Sequence, residues 1–309
     1  MTTERDFIRS LGQQFPVLAP VRTGIGDDGA VISTEDHSDL VVVTDMLLDG
    51  VHFDLHTHSP AAAGRKAVAV NLSDLAAMGC RPTAAFVSIA VPRGMNDAAT
   101  FLQELYEGIG QILSEYSTTL AGGDTNSWNG PFAINVCLTG SPFQQRSVLR
   151  STARAQQGLY VTGPLGGSFP SGRHLTFRPR LAESEWLMAH FPPQAMMDLS
   201  DGLSIDAHRL AESSGVGIEI YEEAVPVHND VPVQISRAER FRAAISDGED
   251  FELLVVLSDE QSMQLRSGAI EPPFPLIEIG RTTEANGLWL IDSSGLRRPL
   301  RATGWEHPI

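Results

Sequence analysis

Apolar positions along this chain mark two kinds of element. From Ser59 to Gly79 they crowd together, with Val68, Val70, Leu72, Leu75, Ala76 and Met78 making the segment mostly apolar. Ser59 as a cap, Pro60 at the first helical position and Gly79 as a stop predict a buried helix over this stretch. Asp97 to Tyr116 predicts a second helix, whose core face carries Phe101, Leu105, Ile109, Ile112 and Leu113 at helical spacing. Phe7, Ile8, Leu11 and Phe15 predict a short amphipathic helix within Met1 to Phe15. Strand patterns run from Leu40 to Val43, ending on Thr44-Asp45, and from Ala84 to Val91, which reads as buried. A short strand at Leu120 delivers Asp124 from its end, and Phe132 to Leu138 alternates. The order β-α-β-α-β-β predicts an α/β or α+β domain for this half.

After Phe143 the pattern breaks, and Arg146, Arg150 and Arg154 recur every four residues. Such spacing marks either a solvated face or an arginine reaching a nucleotide phosphate. Leu159 to Thr162 reads as a strand, and the Gly/Pro/Ser-rich stretch from Gly163 to Gly172 as a mobile loop. Met196 to Leu203 places Asp198 and Asp201 at the edge of a helix expected over Ser204 to Ser213. Asp247-Gly248-Glu249-Asp250 precedes a strand from Phe251 to Leu257, with short β and turn segments up to Gly304-Trp305-Glu306-His307. The break divides the chain into expected domains 1–142 and 143–309.

Composition narrows the function classes. The 309 residues are 42% hydrophobic and 7% aromatic, as in an ordinary globular protein of one large or two smaller domains. A net charge of −16, from 38 acidic against 22 basic residues, argues against nucleic acid or an anionic membrane as partner. Cys80 and Cys137 form no CxxC, so neither a disulfide framework nor a structural zinc site is indicated. The N-terminal segment lacks the build of a signal peptide and no apolar run reaches membrane-spanning length, so a cytoplasmic location is expected. Lys66 is the single lysine among the 22 basic residues. It stands there by chance or because a compact ammonium is needed where a guanidinium does not fit.

Asp residues beside Gly, Ser or Thr recur at 27–28, 45, 74, 124 and 198–201. Each has a plain reading: Gly24-Ile25-Gly26-Asp27-Asp28 as a turn, and Asp74 as the cap of a neighbouring loop. Taken together they point to hard cations held by oxygen, of which Mg²⁺ is the usual partner of phosphate substrates. No GxxxxGK[ST] loop and no protein-kinase motif is present, so a bound ATP would need another architecture. His52, His56 and His58 lie close in sequence, but no regular element places all three on one face, so zinc is disfavoured.

Gly24-Ile25-Gly26-Asp27-Asp28, Thr44-Asp45, Gly50-Val51-His52-Phe53 and the block from Lys66 to Gly79 run in one order with four later motifs. These are Gly122-Gly123-Asp124-Thr125, Asp198 to Leu203, Gly248 to Leu253 and Gly304-Trp305-Glu306-His307. In these residues the chain resembles the thiamine-monophosphate kinase family. The resemblance implies ATP-dependent phosphorylation of thiamine monophosphate to thiamine diphosphate, by direct transfer without a phosphoenzyme. The implied fold is the two-domain α/β (α+β) fold shared with aminoimidazole ribonucleotide synthetase and selenophosphate synthetase, in which a sheet of the N-terminal domain forms a homodimer. Carried over by motif, Asp28, Thr44, Asp45, Asp74, Asp124, Asp198 and Asp201 would hold several Mg²⁺ ions, with Asp74, Asp124 and Asp201 catalytic. Gly123, Asp124, Arg150 and Ser200 would contact ATP, and His52, Glu249 and Trp305 would contact thiamine monophosphate. The permanent charge of a thiazolium suits an acidic protein offering an aromatic platform.

The chain departs from the family pattern in places. Val43 removes a hydroxyl before Thr44, Asn126-Ser127-Trp128 removes a positive charge after Thr125, the stretch from Gly163 to Asp198 is short, and Pro308 replaces a Phe. Another ATP-using member of the fold is an alternative, though its hydrogenase-maturation members end in a reactive Cys and this sequence ends His307-Pro308-Ile309. A non-catalytic binder of nucleotide or thiamine phosphate is a further one. Trp305 either stacks on the substrate or tucks into a core.

Overall fold

The computed structural model describes residues 4–307, so Met1 to Thr3 and Pro308-Ile309 lie outside the described residues. The first half runs α1 (Glu4–Gln14), β1 (Val21–Thr23), β2 (Ala30–Ser33), β3 (Asp39–Leu48), α2 (Pro60–Ala77), β4 (Cys80–Pro92), α3 (Ala98–Glu115), β5 (Thr119–Trp128) and β6 (Ala133–Pro142). The Ser59 side chain accepts from the Ala62 N–H, and Gly79 follows α2 with φ +66, so the expected cap and stop frame this helix.

The six strands form one sheet in the order β1-β2-β3-β6-β4-β5. Strand β3 runs three residues beyond the expected end at Asp45, because β6 pairs with it as far as Leu48 opposite Ala133. Thr44 and Asp45 therefore lie inside a strand, and their side chains point to opposite faces. Asp124 likewise sits within β5, paired with Ser88, and not at a strand end. Strand β4 alternates, with Ala85, Val87 and Ile89 buried and Phe86 and Ser88 exposed, so one face of the sheet packs on helices and the other stays open. Strands β1 and β2 were not expected from the sequence.

The second half runs β7 (Gly158–Val161), α4 (Ser168–Ser171), α5 (Leu181–His190), β8 (Ala195–Asp198), α6 (Leu203–Ser214), β9 (Gly217–Tyr221), α7 (Arg237–Ser246), β10 (Leu253–Leu257), α8 (Asp259–Arg266), β11 (Ile277–Thr283), β12 (Gly287–Ile291) and β13 (Arg297–Pro299). Its seven strands form a second, mixed sheet in the order β13-β12-β9-β11-β7-β10-β8. The fold is thus mixed α/β with two sheets. Helices α7 and α8 each begin with a capping box, Ser236 with Glu239 and Ser258 with Gln261, a signal legible in the sequence though not used there. The stretch from Gly163 to Gly172 is a packed turn, not the expected mobile loop. Leu165 and Ser168 are buried, while the Gly166 and Gly167 N–H groups donate to Asp250 and Asp247. Arg146, Arg150 and Arg154 share no helix: Arg146 and Arg154 are exposed, and Arg150 turns inward.

Helix α2 joins the two halves. It packs on α3, β3, β4 and β6 on one side and on α5 and β8 on the other. Its weak amphipathicity follows, since a helix covered all round has no solvent stripe. The crossing with α3 is close because Gly64 and Gly108 lie at the contact, where a methyl on Gly108 would drive into the Ala61 carbonyl. No helix among the described residues is long and apolar enough to cross a membrane. Gly108→Ala is expected to lower unfolding free energy by about 1–3 kcal/mol, the usual overpacking cost, against a small gain in helix propensity. A urea midpoint equal to or above wild type would show that the helices can separate without loss.

Candidate active site

Asp74 sits near the end of α2, where burial on both sides brings it against carboxylates from other elements. Asp28 follows the turn before β2, and Asp198 is the last residue of β8. Carboxylate oxygens of Asp28, Asp74 and Asp198 lie within 4.8 Å of one another. Asp45 reaches the group from the helix-covered face of β3 and shares a hydrogen bond with Asp74. Ser73 Oγ donates to Asp198 Oδ2 at 2.6 Å. Oδ2 of Asp28 is buried with no partner, an orphan acceptor aimed into a cluster of hard oxygens. Such a donor set fits Mg²⁺ and offers nothing to a thiophilic metal.

Like charges this close resist ionisation. Burial first, then neighbouring carboxylates, push the pKa values of Asp74 and Asp198 well above the ordinary carboxylate range. Two arginines offset part of the charge. Arg150 pairs with Asp28, and its backbone N–H donates to Asp27 at 3.2 Å. Arg209 pairs with Asp201 and, at 2.8 Å, with Asp206, whose other oxygen accepts from the Asp201 and Gly202 N–H groups. Burial still raises Asp27 and Asp206 to about 7.

Beside the cluster opens a cavity of about 660 Å³, lined by Asp45, Asp74, Asp198, Ser200 and Asp201 on one part and by His52, Lys66, Phe169, Glu249, Trp305 and His307 on another. Nδ1 of His52 accepts the Leu48 N–H at 3.0 Å, so its ring proton is on Nε2. Burial, followed by nearby Lys66, lowers its pKa to about 4, leaving a neutral ring. Trp305 is 52% exposed and stands edge-on to His307 at 6.0 Å, which removes the core reading of this residue. Its backbone N–H donates to the Asp201 carbonyl, and the Glu249 N–H donates to that of Ser200, so the same turn after β8 anchors both of these lining residues.

The structure separates other residues expected at the site. Thr44, Cys137, Phe86 and Gly122 form one row across the first sheet, and Met46, Asn135, Ser88 and Asp124 the next. Both rows lie on the open face, away from Asp45 and Asp74. The Thr44 hydroxyl bonds to Asn135 and the Asp124 carboxylate to Asn126, so within one chain neither side chain joins the cluster. Neither Gly123 nor Asp124 lines the cavity. Sequence reasoning did not single out Phe169, His174, Asp206 or Arg209. Asp206 follows the Asp198–Asp201 turn by one helical turn and could have been found there, whereas His174 has no local signal.

The sequence matches the family model for the AIR synthase related protein, N-terminal domain, over residues 26–141, and that for the C-terminal domain over residues 149–292. It is 35% identical over 295 residues to the thiamine-monophosphate kinase of Rhodopirellula baltica, covering 93% of this chain and 91% of that protein. It is 32% identical over 302 residues to that of Bacillus subtilis strain 168, covering 91% of each. The fold is similar to AaThiL complexed with AMPPCP and TMP, with TM-score 0.83 and 28% identity over 99% of this chain and 97% of that one.

The raised carboxylate pKa values carry a sign that can be tested. Between the ordinary value of 3.8 and about 7, the folded chain holds protons on Asp27 and Asp206 that the unfolded chain releases. Stability of the metal-free protein therefore falls as pH rises through that window. Saturating Mg²⁺ should flatten the profile, because a cation held beside these acids favours their ionised forms. Asp74→Asn should raise the metal-free stability by about 1–3 kcal/mol while removing most of the Mg²⁺-induced rise in melting temperature. A variant with an unchanged Mg²⁺ response would take Asp74 out of the ion site.

Proposed function

This chain belongs to the thiamine-monophosphate kinase family, within the wider AIR synthase related group, and we propose that it transfers the terminal phosphoryl group of ATP to thiamine monophosphate, giving thiamine diphosphate and ADP. The observation that carries this reading is the joining, in one cavity, of a buried carboxylate cluster to an aromatic and carboxylate-lined pocket. One end is built for phosphates with divalent ions, the other for a flat, cationic ring. A cytoplasmic location belongs to the same reading, since the ATP it uses is kept there.

Asp28, Asp74 and Asp198, with Asp45 beside them, are the residues that would hold Mg²⁺, which when bound supplies charge neutralisation and alignment of the reacting oxygens. Ser200 and Asp201 flank that end of the cavity, and Arg150 is placed to answer phosphate charge once Asp28 turns to an ion. His52 offers Nε2–H as a neutral donor that does not add to the charge of a cationic substrate. The attacking group is a phosphate oxygen, already ionised near neutral pH, so the protein needs no general base; positioning and charge stabilisation carry the catalysis.

Gly123 and Asp124 need a second copy to serve this site. The first sheet leaves β5 exposed at its edge and Met46, Phe86 and Leu120 uncovered. An open apolar sheet face with an unpaired edge strand is an association surface. In this reading two chains pair through it as a homodimer, and Asp124 of each serves the nucleotide end of the other.

Product analysis of a reaction with ATP, Mg²⁺ and thiamine monophosphate tests the activity directly, and failure to form thiamine diphosphate would refute it. Trp305→Ala is expected to raise KM for thiamine monophosphate about tenfold, with KM for ATP unchanged; an equal rise for both substrates would move Trp305 off the acceptor. Trans action of Asp124 is tested by mixing inactive Asp74→Asn and Asp124→Asn chains. Random reassortment should restore up to about a quarter of wild-type activity, since half the dimers are mixed and each holds one intact site. No recovery after verified subunit exchange would place Asp124 in its own chain's site or outside both.

A further inference from the structure

We propose that Lys66 and His174 are positioning residues for Glu249, fixing its carboxylate toward the ring-binding part of the cavity, and that Lys66 donates nothing to a phosphate. The inference rests on thiamine monophosphate being the acceptor and concerns how its ring end is recognised.

An ammonium has three N–H donors and no lone pair. The Lys66 side chain is 1% exposed, and its Nζ faces three acceptors. They are the His52 carbonyl at 2.6 Å, His174 Nδ1 at 2.8 Å and Glu249 Oε2. All three donors are engaged inside the protein. Because Nζ can only donate, His174 Nδ1 accepts and its ring proton sits on Nε2. Phe169 covers the imidazole face-to-face, with centroids 4.4 Å apart, and lies 5.7 Å from Nζ. The cover excludes water and leaves the ammonium one orientation.

Glu249 is the member of this unit that reaches the cavity, its side chain 20% exposed where Lys66 and His174 are each 1%. Its backbone is held in the left-handed region at φ 56, with its N–H donating to the Ser200 carbonyl at 2.6 Å. Burial alone would raise the carboxyl pKa, but hydrogen bonding and the charge of the Lys66 ammonium outweigh it and hold the group below its ordinary value. The result is an ionised carboxylate with one direction of approach, beside Trp305 and His307. That chemistry recognises amino N–H donors or a delocalised cation. Lys66 belongs to the cavity wall, but its side chain is 1% exposed and its Nζ is turned to the three acceptors. A guanidinium, planar and broader, would not meet the same three acceptors, which accounts for a lone lysine in an arginine-rich chain.

The test is a double-mutant cycle read by calorimetry for two ligands, thiamine monophosphate and a non-hydrolysable ATP analogue with Mg²⁺, on wild type, Lys66→Met, Glu249→Gln and the double variant. Each single variant is expected to weaken thiamine monophosphate about tenfold, and the double no more than Glu249→Gln alone, because Lys66 acts through the carboxylate. Affinity for the ATP analogue should hold, and kcat at saturating acceptor should stay within about threefold of wild type. Additive losses in the double variant, or weakened binding of the ATP analogue by Lys66→Met, would overturn the proposal and make Lys66 a ligand contact. Should Lys66→Met fail to fold with a lone buried carboxylate, the double variant against Glu249→Gln gives the same answer, since neither leaves that charge unpaired. A wild type that binds the ATP analogue but no thiamine monophosphate would overturn the acceptor assignment and the positioning role with it.

Discussion

Three carboxylates within reach of one ion, held away from water, set the terms for the rest of this structure. Asp28, Asp74 and Asp198 come from a turn, a helix end and a strand end, and nothing but the packing around α2 brings them together. Repulsion among buried like charges opposes folding, and the protein answers it in two ways. Protons remain on acids that would otherwise be ionised. Arg150 and Arg209 stand at the margins, paired to Asp28 and Asp201, and supply counter-charge without filling the centre. The centre is left as a group of close carboxylate oxygens, with Oδ2 of Asp28 unpartnered.

The same helix explains how the site joins two chemistries. Lys66 lies two turns before Asp74, so one rigid element carries an ammonium toward the ring end of the cavity and a carboxylate toward the phosphate end. A change in the angle of α2 would move both ends together. The glycine contact between α2 and α3 allows the helix to sit against the first sheet, and the Ser184 hydroxyl donating to the Ala76 carbonyl fixes its far end against the second half. Ion geometry and ring geometry are coupled through backbone and not through a loop.

The turn after β8 does similar work from the other side. It places Asp198 in the cluster and Asp201 beside it, and its carbonyls at Ser200 and Asp201 accept from Glu249 and Trp305. The ring-lined part of the cavity is therefore tied to the segment that carries Asp198 and Asp201. The open face of the first sheet remains the part of the molecule with least internal support. Its exposed Phe86 and Met46 are costly to leave in water, which favours a partner of like surface.

Much of this was legible in the sequence where the signal is local. The Ser59-Pro60 start and Gly79 stop framed α2, the 3.6-residue period of Asp97 to Tyr116 framed α3, and repeated Asp beside small residues identified oxygen chemistry before any contact was known. Resemblance also led to the expectation that Trp305 and Glu249 share a site, and both line the one cavity. What periodicity cannot report is which of several equivalent carboxylates meet. Thr44 and Asp45 are adjacent in sequence, yet the pleat sends them to opposite faces, and strand pairing alone puts Asp124 with Thr44 and not with Asp74. His174 stands 108 residues from Lys66, just past the stretch that reads as loop, and becomes its acceptor only because α2 and the short turn at Arg173–Leu175 pack together. Short-range sterics and hydrogen bonding act between neighbours along the chain and leave a pattern in it. The electrostatics of the site act between neighbours in space, and tertiary packing alone decides those.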